Sequence, residues 1–229
     1  MDYFAEKGYE VHALSSPAHG GSDPIRGHIN LHSLGDYVRA LGQVVDSISP
    51  RPVVIGHSMG GAILQKYLEN HTLPGAVLLA SIPAGGIFGF FVRQLIRYPD
   101  LLLSLLLLNT YGYVKTPERA KAQFLGPDST VEPVAFHQKL QRESLLIAVQ
   151  TMFPFANRAK ILQGKTPILV LAGEKDMIFT VEEEKKMAVH YGVPLQVFER
   201  QGHNLMIEPR SREIADVVDH WMTENLKLP

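Results

Sequence analysis

Val53-Val54-Ile55-Gly56-His57-Ser58-Met59-Gly60-Gly61 is the stretch on which the reading of this chain turns. Three β-branched apolar residues lead in, and residues 62–70 lead out as a helix-like run. A serine with glycines two places to either side, between a strand and a helix, marks a sharp elbow. That elbow holds the serine hydroxyl proud of the sheet, at the positive end of the following helix. The turn is expected to be so tight that a side chain at Gly56 or Gly60 would strike the neighbouring backbone. Such a hydroxyl suits a nucleophile that must become, and then stabilise, an oxyanion.

Glycine is frequent in this chain, so the pattern alone decides little; the residues downstream decide more. Ile168-Leu169-Val170-Leu171-Ala172-Gly173 reads as a buried strand and is followed by Glu174-Lys175-Asp176. Leu195-Gln196-Val197-Phe198 reads as the next strand and is followed by Gly202-His203-Asn204. A serine, then an acid after one strand, then a histidine after the next, is the chain order of an α/β-hydrolase triad.

On these residues the chain resembles the α/β-hydrolase superfamily, in its cap-bearing lipase, esterase and haloperoxidase-like branch, over nearly its whole length. Ser16-Pro17-Ala18-His19-Gly20-Gly21-Ser22 is similar to that family's G-H-G-x-S loop, with Ala18 where glycine is usual. The resemblance implies Ser58 as nucleophile, Asp176 as acid and His203 as base, with the backbone N–H of Met59 as an oxyanion donor. Gly56, His57 and Gly60 belong to the elbow, His57 packing beneath the nucleophile, and His19 is a candidate pocket residue. Glu174 is the nearest rival acid, and the other histidines are read as surface or capping residues. Serine at position 58 speaks against dehalogenase and epoxide-hydrolase chemistry, whose family nucleophile is a carboxylate.

Working outward, residues 33–48 carry Leu34, Tyr37, Val38, Leu41, Val44, Val45 and Ile48 at helical spacing, stopped before Pro50 and Pro52. Residues 9–14 read as a short strand, and 76–80 as a buried one. Helix–strand alternation of this kind predicts an α/β fold with a mostly parallel sheet flanked by helices. From 84 to 160 the alternation stops, and helical patches (91–97, 101–108, 117–124 and 134–152) replace it. The expected organisation is a hydrolase core, 1–83 and 161–229, with 84–160 as a helical cap across the sheet's carboxyl edge. Strand 167–172, helix 181–191, strand 195–199 and a closing helix at 211–226 complete the core.

The resemblance departs at the amino terminus, where a complete family member has further strands, including the one whose loop gives the second oxyanion donor. The N-terminal strands are expected to be missing. Either strands 9–14 and 53–57 close up on each other, or the sequence is a shortened version of a longer protein, the expectation favoured here.

Composition narrows the function classes. The chain has 229 residues, of which 45% are hydrophobic, ample for one core. With 22 basic and 23 acidic residues and no block of like charge, nucleic acid is not an expected partner. There is no cysteine to form a disulfide, a thiolate metal site or a cysteine nucleophile. No metal-ligand spacing, G-x-G-x-x-G or P-loop is present, so no cofactor is expected. The start, Met1-Asp2-Tyr3-Phe4-Ala5-Glu6-Lys7, lacks a secretory pattern, and a cytoplasmic location is expected. The apolar run 101–108 is too short to span a bilayer, which needs ~20 residues.

The function expected from all this is hydrolysis of a small apolar ester or acyl substrate through an acyl-enzyme. The alternative is a non-catalytic or truncated hydrolase-fold protein that binds a ligand or partner.

Overall fold

The structure, a computed structural model, describes residues 1–107 and 109–226. The elements follow in chain order: α1 (Asp2–Glu6), α2 (Leu34–Ser47), β1 (Val54–His57), α3 (Met59–Tyr67) and β2 (Ala76–Leu79) come first. The helical segment follows with α4 (Phe88–Arg97), α5 (Leu101–Leu106), α6 (Pro117–Phe124), α7 (Pro133–Lys139), α8 (Leu145–Gln150) and α9 (Arg158–Gln163). The last elements are β3 (Ile168–Gly173), α10 (Val181–Tyr191), β4 (Leu195–Phe198) and α11 (Ser211–Asn225).

Among the described residues the sheet has four strands in the order β1-β2-β3-β4, every pair parallel. Val54 lies opposite Ala76, Ala76 opposite Ile168, and Val170 opposite Leu195. Strand alternation divides the core into two layers. Ala76, Leu78, Ile168 and Val170 face Tyr37 and Leu41 of α2, Leu64 and Tyr67 of α3, and Met187 and Tyr191 of α10. Val77, Leu79, Leu169 and Leu171 face Ile214, Val218, Trp221 and Met222 of α11, with Phe4 of α1 beside them. A Leu, Val or Ile buried in either layer stabilises the fold by about 1.5–3 kcal/mol.

Several helices start where side chains satisfy the free amides of a first turn. Ser33 and Asp36 form a reciprocal capping box on α2, and Thr180 and Glu183 form one on α10. Thr116 caps α6, with Pro117 in its first turn.

Residues 9–14 are not a strand. A strand needs a neighbour to take its backbone groups, and β1 stands at the sheet edge with Ile55 42% exposed. The strand at β1 and the segment 9–14 therefore do not close up on each other. Tyr9 packs beside Phe4 and Val53 and bonds through its hydroxyl to Asp219 at 2.8 Å, while residues 12–15 lie exposed.

The single helix expected over 134–152 is two helices, α7 and α8. The polar run between them spends its side chains elsewhere: Gln141 accepts from the Gly20 N–H at 2.9 Å, and Ser144 caps α8 while donating to the His32 carbonyl at 2.7 Å. Helix α5 ends at Leu106, and Leu108 of the expected 101–108 run lies outside the described residues. No helix among the described residues is long and apolar enough to cross a membrane.

Candidate active site

Three carboxyl ends of the sheet converge on one edge. Ser58 follows β1, Asp176 follows β3 and His203 follows β4.

Ser58 has φ 52° and ψ −117°, a conformation that costs a non-glycine residue about 1–3 kcal/mol. The turn is over-determined by its surroundings. The Ser58 N–H donates to the Leu79 carbonyl at 3.1 Å, and the Ser58 carbonyl accepts from Gly61 and Ile82, each at 3.0 Å. A Cβ on Gly56 would lie 2.6 Å from the Gly60 carbonyl oxygen, as the sequence implied. The second closed position is not Gly60, which has open space, but Gly61, whose Cβ would meet Ser81 Oγ at 2.0 Å. Behind the turn, Gln65 donates to Ser81 Oγ (2.9 Å) and the Ile82 carbonyl (2.8 Å), and accepts from the Tyr191 hydroxyl (2.8 Å). Among the described residues no side chain caps α3, and its first turn, Met59 included, begins at the serine.

Asp176 is buried. Its Oδ1 accepts from the amides of Ile178 (2.7 Å) and Phe179 (3.0 Å), and its Oδ2 meets His203 Nδ1 at 2.8 Å. Glu174 points away; it is exposed and accepts from the Arg200 N–H at 2.9 Å. The structure therefore brings Asp176, not Glu174, to the histidine.

His203 is fully buried, with Phe124, Phe179 and His57 rings 5.5, 5.6 and 4.8 Å from its own. With Nδ1 on the carboxylate, Nε2 is left buried and, among the described residues, without a hydrogen-bond partner. It makes no hydrogen bond to Ser58, so two of the three groups are joined and the third is not. His57 Nε2 is 3.0 Å from the His203 carbonyl oxygen, which requires the proton on Nε2. Burial, with His203 close by, pushes its pKa down to about 3, so His57 serves as a neutral donor that fixes the backbone of position 203.

His19 is half-buried, with Nδ1 3.1 Å from the Pro17 carbonyl and Nε2 3.3 Å from Glu143. The Glu143 carboxylate raises its pKa. Its ring also lies against Tyr37 of α2, and no hydrogen bond, ion pair or ring contact joins it to Ser58, Asp176 or His203. Ala18 beside it has φ 63°, a conformation glycine adopts without strain.

An apolar layer spans the site. Met59, Ala62, Ile82, Ile178 and Phe179 from the sheet side pack with Phe90, Tyr113, Phe124, Met152 and Phe155 from the helical segment. Among the described residues, no group of three His, Cys, Asp or Glu side chains is placed to hold a metal ion. The sequence reading missed Glu208, which is 2% exposed and accepts from the backbone amides of Gly126 and Gly202. No local signal marks it, because one of its partners is 82 residues away.

A family model described as the alpha/beta hydrolase family matches residues 1–217. The chain is 26% identical over 240 residues to a monoacylglycerol lipase of Mycolicibacterium smegmatis, covering 97% of this chain and 81% of that protein. Polyneuridine aldehyde esterase shares its fold, with a TM-score of 0.68 at 20% identity over 96% of this chain and 91% of the other. So does a pyrethroid hydrolase from Sphingobium faniae JZ-2, with a TM-score of 0.67 at 18% identity over 95% and 88%.

Proposed function

Because the chain belongs to the α/β-hydrolase family, we propose that it hydrolyses carboxylic esters, with Ser58 as nucleophile, His203 as general base and Asp176 as the acid that orients it. Ser58 Oγ attacks the ester carbonyl as His203 Nε2 takes its proton, forming a tetrahedral oxyanion. The Met59 N–H, at the head of α3, is the oxyanion donor this chain supplies. His203 then gives the proton to the leaving alkoxide, which departs as an alcohol and leaves an acyl group on Ser58. Water, deprotonated by the same imidazole, attacks the acyl carbon; the acyl–Oγ bond breaks, the imidazolium returns the proton to Ser58 Oγ, and the carboxylic acid leaves.

The observation that carries this reading is the buried Asp176 Oδ2–His203 Nδ1 contact at 2.8 Å, which leaves Nε2 unbonded. A carboxylate on Nδ1 selects the tautomer whose Nε2 can accept a proton. The strained backbone at Ser58 supports it, because such strain concentrates at functional turns. Residues 84–160 act as a cap, whose Phe90, Tyr113 and Phe124 face Met59 and Ile178; an apolar acyl or alkyl group suits that layer. The relatives named for lipase and esterase activity agree with an ester substrate.

The test is labelling of Ser58 by a fluorophosphonate together with turnover of p-nitrophenyl butyrate. Ser58→Ala should lose both. A folded sample that neither labels nor turns over would sink the proposal. The missing Ser58–His203 bond favours a second reading: a hydrolase-fold protein that binds apolar esters and leaves them intact. Saturable ester binding with no hydrolysis would establish it, and hydrolysis lost in His203→Ala would remove it.

A further inference from the structure

The loop that carries His203 is clamped to the helical segment, and the clamp is one buried carboxyl group. Glu208 leaves the short 3₁₀ turn Leu205–Ile207 and turns back beneath the loop. Its Oε1 accepts from the Gly126 N–H at 2.9 Å and from the Gly202 N–H at 3.0 Å. Gly126 follows α6; Gly202 immediately precedes His203. On the other side of the histidine, the Asn204 N–H donates to the Phe124 carbonyl at 2.9 Å. His203 is therefore tied to the segment 124–126 through both of its chain neighbours, and the Phe124 ring lies against its imidazole.

The packing here is backbone on backbone. A Cβ on Gly126 would sit 2.4 Å from the Arg200 carbonyl oxygen and 2.5 Å from Glu208 Oε2. One on Gly202 would sit 2.5 Å from the Gly126 nitrogen, and one on Gly173 would sit 2.1 Å from the Gly202 carbonyl oxygen. Three chain segments thus stack closely through glycines that put no side chain of their own between them: the end of β3, the histidine loop and the segment after α6. Buried amides in such a stack need an acceptor, and Glu208 supplies it to two of them.

We infer that Glu208 is a positioning residue, which locks the cap segment 124–126 to the histidine loop so that the cap sets where the His203 imidazole stands. The inference rests on the acyl-transfer reading for its effect on rate. Burial is the main force on the Glu208 carboxyl and pushes its pKa up, against the pull of the two amides. Asp176 acts in the same direction and His203 against it. Glutamine keeps an acceptor oxygen in place for the Gly126 and Gly202 amides and is the conservative replacement.

The experiment compares Glu208→Gln, Glu208→Leu and Gly126→Ala in the full chain with p-nitrophenyl butyrate as substrate. Displacing a base by about 1 Å can cost about 100-fold in rate. The leucine variant is expected to lose about 10- to 100-fold in kcat with KM within about twofold, and to move the kinetic pKa of the base downward as the Asp176 contact loosens. The glutamine variant should restore kcat to within about threefold. Gly126→Ala breaks the same clamp from the cap side, so combining it with Glu208→Leu should cost no more than the worse single change.

A folded leucine variant with wild-type kcat and an unchanged pH profile overturns the inference, and so does strict additivity with Gly126→Ala. If the leucine variant does not fold, Gly126→Ala with the glutamine variant decides by the same kcat and pH criteria. Amide exchange at Gly126 and Gly202, measured by NMR, tests the clamp without any substrate. It should accelerate at least about tenfold when the acceptor is removed. Wild-type protein that turns over no ester defeats the acyl-transfer reading alone, because the exchange result still judges Glu208.

Discussion

Ser58 and His203 occupy the same edge of the sheet and are held there by different means. The turn at Ser58 is fixed by backbone from the adjoining elements, through the Leu79 carbonyl and the Gly61 and Ile82 amides, and by glycines that leave no room for another path. The loop at His203 has little local support. It is held by Asp176, by the His57 imidazole on its carbonyl and by the Phe124 carbonyl, all from other parts of the chain, and by Glu208, five residues on, which ties it to Gly126. Ser58 is thus placed by backbone and glycine contacts, and His203 by side chains as well. Damage to the first should appear as strain; damage to the second should appear as a mispositioned imidazole in a protein that still folds.

The largest expected effects test whether both halves belong to one machine. Ser58→Ala or His203→Ala should reduce kcat by about 10⁶-fold, and Asp176→Asn by about 10⁴-fold because the wrong tautomer is held. The measurement is ester turnover beside a circular-dichroism check of folding. If the two alanine variants act as parts of a unit, the double variant should be no slower than either single one. Additive losses would break the comparison, since they would mean that the groups work separately.

The next effect separates neighbouring glycines in the elbow. Gly61→Ala drives a methyl into Ser81 Oγ at 2.0 Å and should cost about 1–3 kcal/mol of stability in urea unfolding. Gly60→Ala meets open space within α3 and should be neutral, or stabilising by up to about 1 kcal/mol. Equal losses at both positions would show that the turn is not held by the contact with Ser81.

How much of this was legible beforehand follows the same division. The elbow strand, its helix, and the helices at 117–124 and 181–191 could be read because their signals are local: β-branched runs and helix-like patches between them. The chain order of serine, acid and histidine was equally local. What could not be read depends on distant partners. Residues 9–14 have strand-like chemistry but no neighbouring strand. The break between α7 and α8 arises because Gln141 and Ser144 bond to Gly20 and His32, more than a hundred residues away. Which glycine is squeezed in the elbow depends on Ser81, and Glu208 has meaning only once Gly126 is beside it.

Protonation sharpens the comparison at smaller amplitude, because His57 is one of the tertiary supports of the His203 loop. Its pKa falls from an ordinary 6.5 to about 3, so the unfolded chain binds more protons at position 57 than the folded one. Its contribution to stability is complete above pH 6.5 and is lost as the pH falls toward 3. His19, raised by Glu143, has the opposite sign: it stabilises below its unfolded value and loses that contribution as the pH rises through its folded one. Urea unfolding of His57→Gln should show a flatter stability curve between pH 6.5 and 4 than the parent protein. A curve of unchanged slope would mean that position 57 is not a buried neutral histidine.

The smallest effect is expected at Glu174, and its smallness is informative. Like Glu208, it accepts a backbone amide of the histidine loop, at Arg200, but it does so at the surface beside Lys175. Water can replace it there, and salt screens its charge, so the contact carries little of the loop's rigidity. Glu174→Ala should leave kcat within about twofold, with a difference from the parent that shrinks as salt is raised. Two carboxyl groups that grip one loop would then differ in consequence because one grips it where no water can take its place. A Glu174→Ala variant as slow as Glu208→Leu would shift the explanation from burial to the mere number of bonds on the loop.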